Sequence, residues 1–483
     1  MKTATVFDGP LLSRRDALKL SGFVAASAAI PSWAQDLSAP DYRLEIAPVT
    51  LDLSPRHRIR TLAYNGQVPG PLLRLKEGKS VTIEVTNRTE AAEVVHWHGL
   101  FLPTAVDGSF EEGTPPIAPN ASARYTFTPS PSGFRWYHTH TMAMDDLTRA
   151  QYGGQHGFLM IEPQQEPGRY DQEFFLALHD WDGHLLASDD GAMNPSYGLS
   201  TINGRILGAG EPLRVREGQR IVLHILNSSP TEVHWVALSG HSLQVIALDG
   251  NPVPAVKSVP MLRLAPAERV CAVVDMNNPG IWVLGEVRRH IQAAGMGITV
   301  EYANQSDRPQ WQQPPGLIWN YEQFGAPAGA GAPGADPPSS DARRADAPIV
   351  IPLAFESKFR GHGAMEAWTI NGKSYPDTGV APLQAGQRYR LQFINKSVDD
   401  HPLHLHRHSF ELHSIGAPLR TAPPSAGPAS PPNRRGIIKD VLLVDALTQS
   451  EVDFTADHPG ATLFHCHQQN HMDLGFMMLF HYA

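Results

Sequence analysis

Histidines recur at a fixed spacing in two distant parts of the chain, and each time they form His-x-His pairs. There are four such pairs: His96 and His98, His138 and His140, His404 and His406, and His465 and His467. Residues two apart on a β-strand point to the same face of the sheet, so each pair can present two imidazoles to one place. Imidazole suits copper, zinc, iron and nickel. Eight imidazoles exceed the needs of one ion, and the pattern therefore predicts a metal cluster.

An internal repeat accounts for the two groups of pairs. Three segments share an Asn-Gly, a later glycine and a β-rich run that ends, nine residues after that glycine, in Asn87, Asn227 or Asn395. Histidine pairs begin nine residues after the first and the third of these asparagines, whereas the middle copy has Val236 and Leu238 at the matching positions. The repeat predicts that the outer copies meet and pool their imidazoles, and that the middle copy is a metal-free spacer.

The fold class follows from the same repeat. Short β-rich runs bounded by Gly and Pro, with little helical periodicity, predict an all-β chain of three Greek-key β-sandwiches. We expect domains at 35–165, 166–304 and 348–483, with a Pro/Gly/Ala-rich linker at 305–347. With 483 residues, of which 42% are apolar, the chain is long enough to build these cores.

The third copy carries an additional donor set. His401 precedes the third pair by three residues, Cys466 lies between the members of the fourth pair, and His471 follows the cysteine by five. Two imidazoles and one thiolate are the donors of a blue copper electron-transfer centre. Because the cysteine is flanked by two histidines of the cluster, a covalent path would join the two sites.

These motifs resemble the four copper motifs of the three-domain multicopper oxidases, and the resemblance extends from about residue 40 to the C-terminus. It implies cupredoxin-like domains and four copper ions per chain: one type 1, one type 2 and a type 3 pair. It assigns His401, Cys466 and His471 to type 1, His96 and His404 to type 2, and His98, His138, His140, His406, His465 and His467 to type 3.

The resemblance also implies an activity. A laccase-like enzyme would oxidise phenols or aromatic amines one electron at a time at the type 1 copper and reduce dioxygen to water at the trinuclear cluster. Two alternatives stay open: a metallo-oxidase acting on Cu(I) or Fe(II) in copper tolerance or metal homeostasis, and a copper-depleted exported scaffold. The 12 methionines form no Met-rich insert, which favours a small aromatic reductant over Cu(I).

Substrate is expected to approach an exposed edge of His471. The Pro/Ala/Ser-rich segment 416–435 is a candidate wall of the substrate site, and the acidic pair Asp399 and Asp400 is a candidate carboxylate. The alternative for both is a solvated surface loop.

The axial position of the type 1 copper, ten residues after the cysteine, is Phe476, where many relatives have Met. A side chain without a donor favours Cu(I) and raises the redox potential. The alternative is a one-residue shift that brings in the sulfur of Met477 or Met478.

Oxygen reduction also consumes protons. Asp107 matches the family's carboxylate near the type 2 copper and is predicted to deliver them. Its alternative is a turn residue before Gly108. Asp473 is a second candidate, in place of the carboxylate that some bacterial members carry directly after their last copper histidine.

Charge and composition exclude other classes. With 39 basic and 48 acidic residues, a net charge of −9 offers no basis for binding nucleic acid. No apolar run reaches the roughly 18 residues that a spanning helix needs, so no stable membrane insertion is expected. Two cysteines are too few for a disulfide framework, and we expect Cys271 to be a core residue.

The N-terminal segment resembles a twin-arginine export signal. Arg14 and Arg15 precede an apolar run and the small residues of Ser32-Trp33-Ala34. We expect residues 1–34 to be removed from a periplasmic or secreted protein. The mature chain is expected to be a monomer whose partners are dioxygen and a small aromatic reductant or metal ion.

Overall fold

The computed structural model describes residues 39–164, 168, 170–188, 191–316, 319–326, 348–419 and 436–482. The predicted export signal at 1–34 lies outside these residues, as do 327–347 of the predicted linker and 420–435 of the predicted substrate loop. From Pro40 onward the chain forms one compact unit of three β-sandwiches in sequence order.

The first sandwich lies nearest the N-terminus. Its strands are β1 (Tyr42–Ser54), β2 (His57–Tyr64), β3 (Gly70–Lys76), β4 (Val81–Asn87), β5 (Val95–His98), β6 (Ser122–Phe127), β7 (Gly133–Thr139) and β8 (His156–Glu162). They form two sheets with the strand orders β2-β1-β4-β6 and β3-β8-β7-β5. Buried side chains of both sheets share one core, among them Ile83 and Trp97. A short helix spans Thr104–Asp107 and a 3-10 turn spans Ala150–Tyr152.

The second sandwich follows directly. Its strands are β9 (Gln172–Ala187), β10 (Met193–Ile202), β11 (Leu213–Val215), β12 (Arg220–Asn227), β13 (His234–Leu238), β14 (Leu243–Leu248), β15 (Asn251–Val259), β16 (Leu262–Leu264), β17 (Arg269–Asp275), β18 (Ile281–Glu286) and β19 (Gly297–Tyr302). The sheet orders are β10-β9-β12-β17-β14-β15 and β11-β19-β18-β13-β16. A short helix spans Arg289–Ala293.

The third sandwich repeats the second strand for strand. Its strands are β20 (Ile349–Lys358), β21 (Ala367–Ile370), β22 (Val380–Leu383), β23 (Arg388–Asn395), β24 (His401–Leu405), β25 (Phe410–Pro418), β26 (Ile438–Lys439), β27 (Val441–Val444), β28 (Thr448–Thr455), β29 (Ala461–Cys466) and β30 (Met477–Tyr482). The sheet orders are β21-β20-β23-β28-β25-β26 and β22-β30-β29-β24-β27. A short helix spans Gln469–Asp473.

The repeated asparagines have one structural cause. Asn87, Asn227 and Asn395 are fully buried, and each closes a turn by accepting a hydrogen bond from the backbone N–H two residues later. Each side-chain amide also donates to carbonyls across the sandwich. The position therefore ties the two sheets of every sandwich together, which explains why the register recurs three times.

The start of the predicted linker packs against the second sandwich. Tyr321–Phe324 is a 3-10 turn whose two aromatic side chains are buried in the core. The Tyr321 hydroxyl donates to Glu268. These two aromatic side chains pack in the core, whereas the sequence that follows is rich in Pro, Gly and Ala and has few large side chains. Among the described residues, no helix has the length and apolar character required to cross a bilayer.

Candidate metal centres

The four His-x-His pairs converge where the first and third sandwiches meet. Strands β5 and β7 place His96 directly opposite His138, and strands β24 and β29 place His404 directly opposite His465. Across the domain boundary, His96 stacks on the ring of His406 with centroids 4.0 Å apart. His98 and His404 stack in the same way at 3.9 Å. The imidazoles of both sandwiches therefore line one site, and all eight are buried.

The imidazoles form several close groups that overlap, for example His96, His404 and His406, and three of these groups together include all eight rings. One group has its ligand nitrogens within 4.8 Å of one another and comprises His140, His406 and His465. A second has ring centroids 5.2 to 5.7 Å apart and comprises His98, His138 and His467. The remaining two, His96 and His404, have centroids 5.7 Å apart. Each of these three groups takes histidines from both outer sandwiches, although His96, His98 and His138 also form a close triad within the first sandwich.

The hydrogen bonds of the imidazoles leave nitrogens free for a metal. His96 Nδ1 donates to the Asp107 carbonyl at 2.9 Å, His404 Nδ1 to the Asp440 carbonyl at 2.7 Å, and His138 Nδ1 to the Thr139 carbonyl at 2.7 Å. Within the described part of the chain, the Nε2 atoms of these three rings are buried without a hydrogen-bond partner. A buried polar atom without a partner is costly, and an imidazole that donates through one nitrogen offers a lone pair on the other. The site therefore fits metal ions.

Burial also sets the charge of the rings. It lowers the pKa of His140 to about 3, with a further contribution from the neighbouring His96, and it lowers the pKa of His465 well below its ordinary value. The imidazoles of His140 and His465 are consequently neutral at physiological pH. Neutral imidazole is the form that binds a metal.

The second candidate centre lies within the third sandwich. Cys466 Sγ lies 3.8 Å from His401 Nδ1 and 3.6 Å from His471 Nδ1, and the two nitrogens are 3.2 Å apart. Strands β29 and β24 supply the first two residues and the helix Gln469–Asp473 supplies the third. Burial raises the pKa of the Cys466 thiol well above its ordinary value, so a bound cation is needed to hold it as a thiolate.

Phe476 lies against this second centre. Its ring centroid is 4.9 Å from that of His401, and its backbone accepts from Cys466 N–H and donates to the His471 carbonyl. Met477 packs in a separate cluster with Leu463 and Met472. The phenyl ring, rather than the Met477 thioether, therefore borders the donor set.

The predicted exposed edge of His471 is small. Only 4% of the residue is exposed, and Trp368 covers the ring with centroids 4.0 Å apart. The His401 ring is fixed by a hydrogen bond between its Nε2 and the Ser397 hydroxyl at 2.8 Å. Both imidazoles thus direct Nδ1 toward the sulfur.

Asp107 lies in the cluster as predicted from the motif. Its Oδ2 is 2.9 Å from His406 Nδ1 and 3.2 Å from His96 Nδ1. Asp107 ends the short helix Thr104–Asp107, and the following Gly108 adopts φ 102°, where a Cβ would lie 1.9 Å from the Val95 carbonyl oxygen. This helix end places the Asp107 carboxylate next to the imidazoles of His96 and His406.

Glu112 is a residue that the sequence analysis missed. Its Oε2 lies 3.2 Å from His406 Nδ1, and its Oε1 accepts from Leu463 N–H at 2.9 Å. Burial and the adjacent Asp107 charge raise the pKa of Glu112 well above its ordinary value. The raised pKa favours the protonated form of Glu112 beside His406. Neither the position nor the acidic run Glu111-Glu112 follows a recognisable motif.

Asp440 was missed as well. Its Oδ1 lies 3.2 Å from His98 Nε2, and its carboxylate accepts two hydrogen bonds from Arg269, at 2.5 and 2.6 Å. Arg269 belongs to β17 of the middle sandwich and is fully buried. The middle domain was predicted to be a metal-free spacer. Its Arg269 guanidinium nevertheless holds the Asp440 carboxylate beside the cluster.

Two other predicted carboxylates have different surroundings. Asp473 accepts from the backbone N–H groups of Ala143 and Met144, at 3.0 and 2.8 Å, and burial raises its pKa to about 7. Asp400 pairs with Arg263 of the middle sandwich at 2.7 Å. Asp400 therefore forms an interdomain ion pair, and its role toward substrate stays a prediction.

Profiles of a single protein family match most of the chain. Three profiles, each described as multicopper oxidase, match residues 46–166, 173–302 and 352–483. The chain belongs to the multicopper oxidase family. It is an oxidoreductase that uses dioxygen and a reductant, and its donor sets are those of a copper-binding protein.

Individual relatives span almost the whole chain. The oxidase is 29% identical to multicopper oxidase MmcO of Mycobacterium tuberculosis, over 93% of this chain and 88% of that protein. It is 26% identical to laccase-2 of Fomitopsis schrenkii, over 95% and 93%. The crystal structure of Fet3p, a multicopper oxidase that functions in iron import, superposes with a TM-score of 0.73 over 92% and 90% at 19% identity, which shows a common fold.

Proposed function

We propose that this multicopper oxidase binds four copper ions in the three types that its motifs imply. The type 1 ion would take His401, Cys466 and His471, and the type 2 ion His96 and His404. The type 3 pair would take one triad each: His98, His138 and His467, and His140, His406 and His465. The observation that carries the proposal is that eight imidazoles from two sandwiches meet in one buried site, several of them with unpaired nitrogens, while His401, Cys466 and His471 form a separate donor set.

Bound copper supplies one-electron chemistry, in which single electrons from a reductant are collected and dioxygen is reduced to two waters. The protein's own residues connect the two places where this occurs. His465 Nδ1 donates to the Cys466 carbonyl at 2.9 Å, and the same cysteine is covalently joined to both His465 and His467. Electron entry at the sulfur is thus linked to the cluster by the backbone and by a hydrogen bond.

We propose that Asp107 and Glu112 supply the protons that oxygen reduction consumes. Both carboxyl groups lie within hydrogen-bonding distance of His406 Nδ1, and both are buried. A carboxyl group that holds a proton next to the reacting site can supply it without recruiting bulk water. Glu112 stores the proton, and Asp107 accepts it and delivers it to the cluster while orienting His406.

We propose small phenols and aromatic amines as reductants. Trp368 and Phe476 make the surroundings of the Cys466 centre apolar, and the 12 methionines form no Met-rich insert. An apolar setting without a donor from Phe476 favours the reduced ion and hence a high potential, which phenol oxidation requires. The similarity to a laccase supports this choice.

Oxidation of Cu(I) or Fe(II) is the second candidate. It is favoured by the similarity to copper resistance protein A of Escherichia coli, at 23% identity over 92% of both chains. Exposed Met142 and Met144 lie just after the second histidine pair, and thioethers suit Cu(I).

The location and assembly of the enzyme are further proposals. The Arg14-Arg15 segment supports export in a folded state to the periplasm or beyond, with removal of residues 1–34. We propose that the mature enzyme is a monomer. The mass of the protein purified from an exporting host, together with its elution volume, tests both statements.

The function is tested by counting copper per chain and comparing kcat/KM for a methoxyphenol, Cu(I) and Fe(II) under the same conditions. Four copper ions and the highest kcat/KM for the methoxyphenol are expected. A higher value for either metal ion would replace the laccase-like proposal by a metallo-oxidase. A copper count other than four would contradict the assignment of the ligands.

A further inference from the structure

A cysteine, a histidine and a glutamate lie in line on the middle sandwich, away from both candidate copper centres. Strands β9, β12 and β17 are adjacent, and their register places His224 directly opposite Cys271. His224 Nδ1 lies 3.1 Å from Cys271 Sγ, and its Nε2 lies 3.5 Å from Glu173 Oε2. The order thiol, imidazole, carboxylate is that of a nucleophile, a base and a group that orients the base.

The imidazole of this triad is held in place from several sides. Phe175 stacks on the His224 ring with centroids 4.6 Å apart, and Phe134 of the first sandwich approaches it at 5.3 Å. Arg74, also of the first sandwich, pairs with Glu173. These contacts fix Nε2 toward the carboxylate and leave Nδ1 to accept from the thiol.

The triad borders a groove between the first and second sandwiches. The groove has a volume of about 1390 Å³, and its lining includes Cys271, His224, Glu173, Met160 and Ile246. Cys271 is 4% exposed and His224 is 8% exposed. The thiol is thus at the edge of a cavity with room for a small molecule.

The charges around the ring favour a protonated imidazole. Burial works to lower the pKa of His224, but the sulfur of Cys271 and the carboxylate of Glu173 outweigh it and raise the pKa to about 9. Glu173 therefore stabilises the imidazolium that forms when His224 Nδ1 accepts the thiol proton, so the ring can act as the base that generates the reactive thiolate. Core cysteines without such a neighbour are inert.

We propose that Cys271, His224 and Glu173 form a reactive thiol site that exchanges with small disulfides entering the groove. The Cys271 proton passes to His224 Nδ1, and the thiolate attacks one sulfur of the disulfide. A new bond between Cys271 Sγ and that sulfur forms as the disulfide bond of the reagent breaks. The second sulfur leaves as a thiolate, so the cysteine is oxidised and the departing sulfur is reduced.

This proposal is independent of the proposed copper chemistry. The two cysteines face different surroundings, since Cys466 lies within a donor set of the third sandwich and Cys271 faces the groove. Modification at Cys271 would add a group between the first two sandwiches. Such a group is stable where thiols are not continuously reduced.

The test uses the copper-loaded full-length enzyme and the aromatic disulfide 5,5′-dithiobis(2-nitrobenzoate). We expect one equivalent of aryl thiolate per chain, an adduct located at Cys271 by mass spectrometry, and no fast reaction in Cys271→Ser. At pH 6 the rate in His224→Gln should fall by about a hundredfold, the scale expected when a positioned base is lost. Glu173→Gln should show a smaller loss.

The pH profile distinguishes a reactive triad from a thiol that is merely exposed. The wild-type rate should be nearly flat between about pH 6 and 8, whereas the His224→Gln rate should rise with the ionisation of an ordinary thiol of pKa about 8.5. His184→Gln, on an exposed part of the same strand as Glu173, is the matched control and should react like the wild type.

Equal rates in wild type and His224→Gln would overturn the proposal. So would the absence of reaction in the folded enzyme when the same reagent detects thiols after denaturation. Copper content and the thermal midpoint of each variant report whether it has folded. If Cys271→Ser fails to fold, the adduct position and the His224→Gln profile still decide the outcome.

Discussion

Asp107 and Asp440 occupy equivalent places on the two sides of the histidine cluster. The carbonyl of Asp107 accepts from His96 Nδ1 at 2.9 Å and its carboxylate faces His406 Nδ1 at 2.9 Å. The carbonyl of Asp440 accepts from His404 Nδ1 at 2.7 Å and its carboxylate faces His98 Nε2 at 3.2 Å. Each aspartate therefore fixes one imidazole of its own sandwich and one of the opposite sandwich.

The two aspartates differ in what surrounds their carboxylates. Asp440 is paired with Arg269, whereas Asp107 lies beside the buried carboxyl group of Glu112. A carboxylate held by a guanidinium is a positioning group, and a carboxylate that shares a proton with another acid can exchange it. Asp107 and Asp440 therefore have similar positions but different chemical roles.

Replacement of Asp107 by Asn tests the proton role. The amide cannot supply a proton, so we expect kcat at saturating reductant to fall by about a hundredfold. Reduction of the blue centre without oxygen should keep its rate, because electron entry occurs at Cys466. Steady-state turnover and anaerobic stopped-flow measurements check the two steps. The exposed Asp145→Asn variant is the control, and an unchanged kcat in Asp107→Asn would contradict the role.

Replacement of Asp440 by Asn tests the positioning role. It removes the closest carboxylate of the buried Arg269 guanidinium and leaves Asp249 at 3.8 Å, which should lower the free energy of unfolding by about 3–5 kcal/mol. Urea titration measures this change. The control is Asp52→Asn, which breaks an exposed pair with Arg58 and should leave the free energy of unfolding nearly unchanged. A loss in Asp440→Asn no larger than that of the control would mean that Arg269 finds another partner.

Replacement of Cys466 by Ser separates the two copper centres. The blue absorption should disappear and turnover should stop, because the thiolate is both ligand and electron path. Copper content should fall from four to three ions per chain, since no cluster histidine is altered. Absorption spectra and metal analysis check both. Cys271→Ser is the matched control and should stay blue, and a blue Cys466→Ser would show that the thiolate is misassigned.

Replacement of Phe476 by Met places a thioether beside the sulfur and imidazoles of the Cys466 centre. A donor at this position stabilises Cu(II), so the redox potential should fall and the rate of phenol oxidation with it. The control is Phe480→Met, which makes the same change of side chain in the same core. Because Phe480 does not face the donors, the redox potential of this variant should equal that of the wild type. Redox titration of the blue band measures both variants, and equal potentials would place Phe476 outside the ligand sphere.

A buried histidine of the middle sandwich predicts a pH dependence of stability. Burial works to lower the pKa of His234, but Asp180 and Glu286, at 3.0 and 2.9 Å, outweigh it and raise the pKa to about 10. An unfolded histidine titrates near 6.5. The protonated ring therefore stabilises the fold fully below about pH 6.5, and this contribution is lost as the pH rises toward 10.

The corresponding measurement is the free energy of unfolding of wild type and His234→Gln across this range. The advantage of the wild type should shrink steadily from about pH 6.5 to about pH 10. His184→Gln, at an exposed position, should parallel the wild type at every pH. An advantage that is constant or grows with pH would exclude a charged His234.

The ligand residues could be predicted from the sequence because two local rules place them. Side chains alternate along a strand, so His96 and His98 must share a face, and the repeat places the second group in the same register around Asn395. Cys466, His401 and His471 follow from donor chemistry and short spacings. None of these inferences needs long-range information.

Tertiary structure alone decided what surrounds these ligands. Asp107 follows its histidine by 11 residues, whereas Asp440 follows His404 by 36, so no shared spacing reveals their equivalence. Glu112 and Arg269 reach the cluster only because three sandwiches pack around it, and the same packing pairs Asp400 with Arg263. Alternation along a strand is a local property of the backbone, but which charges meet depends on the docking of surfaces that are far apart in the chain.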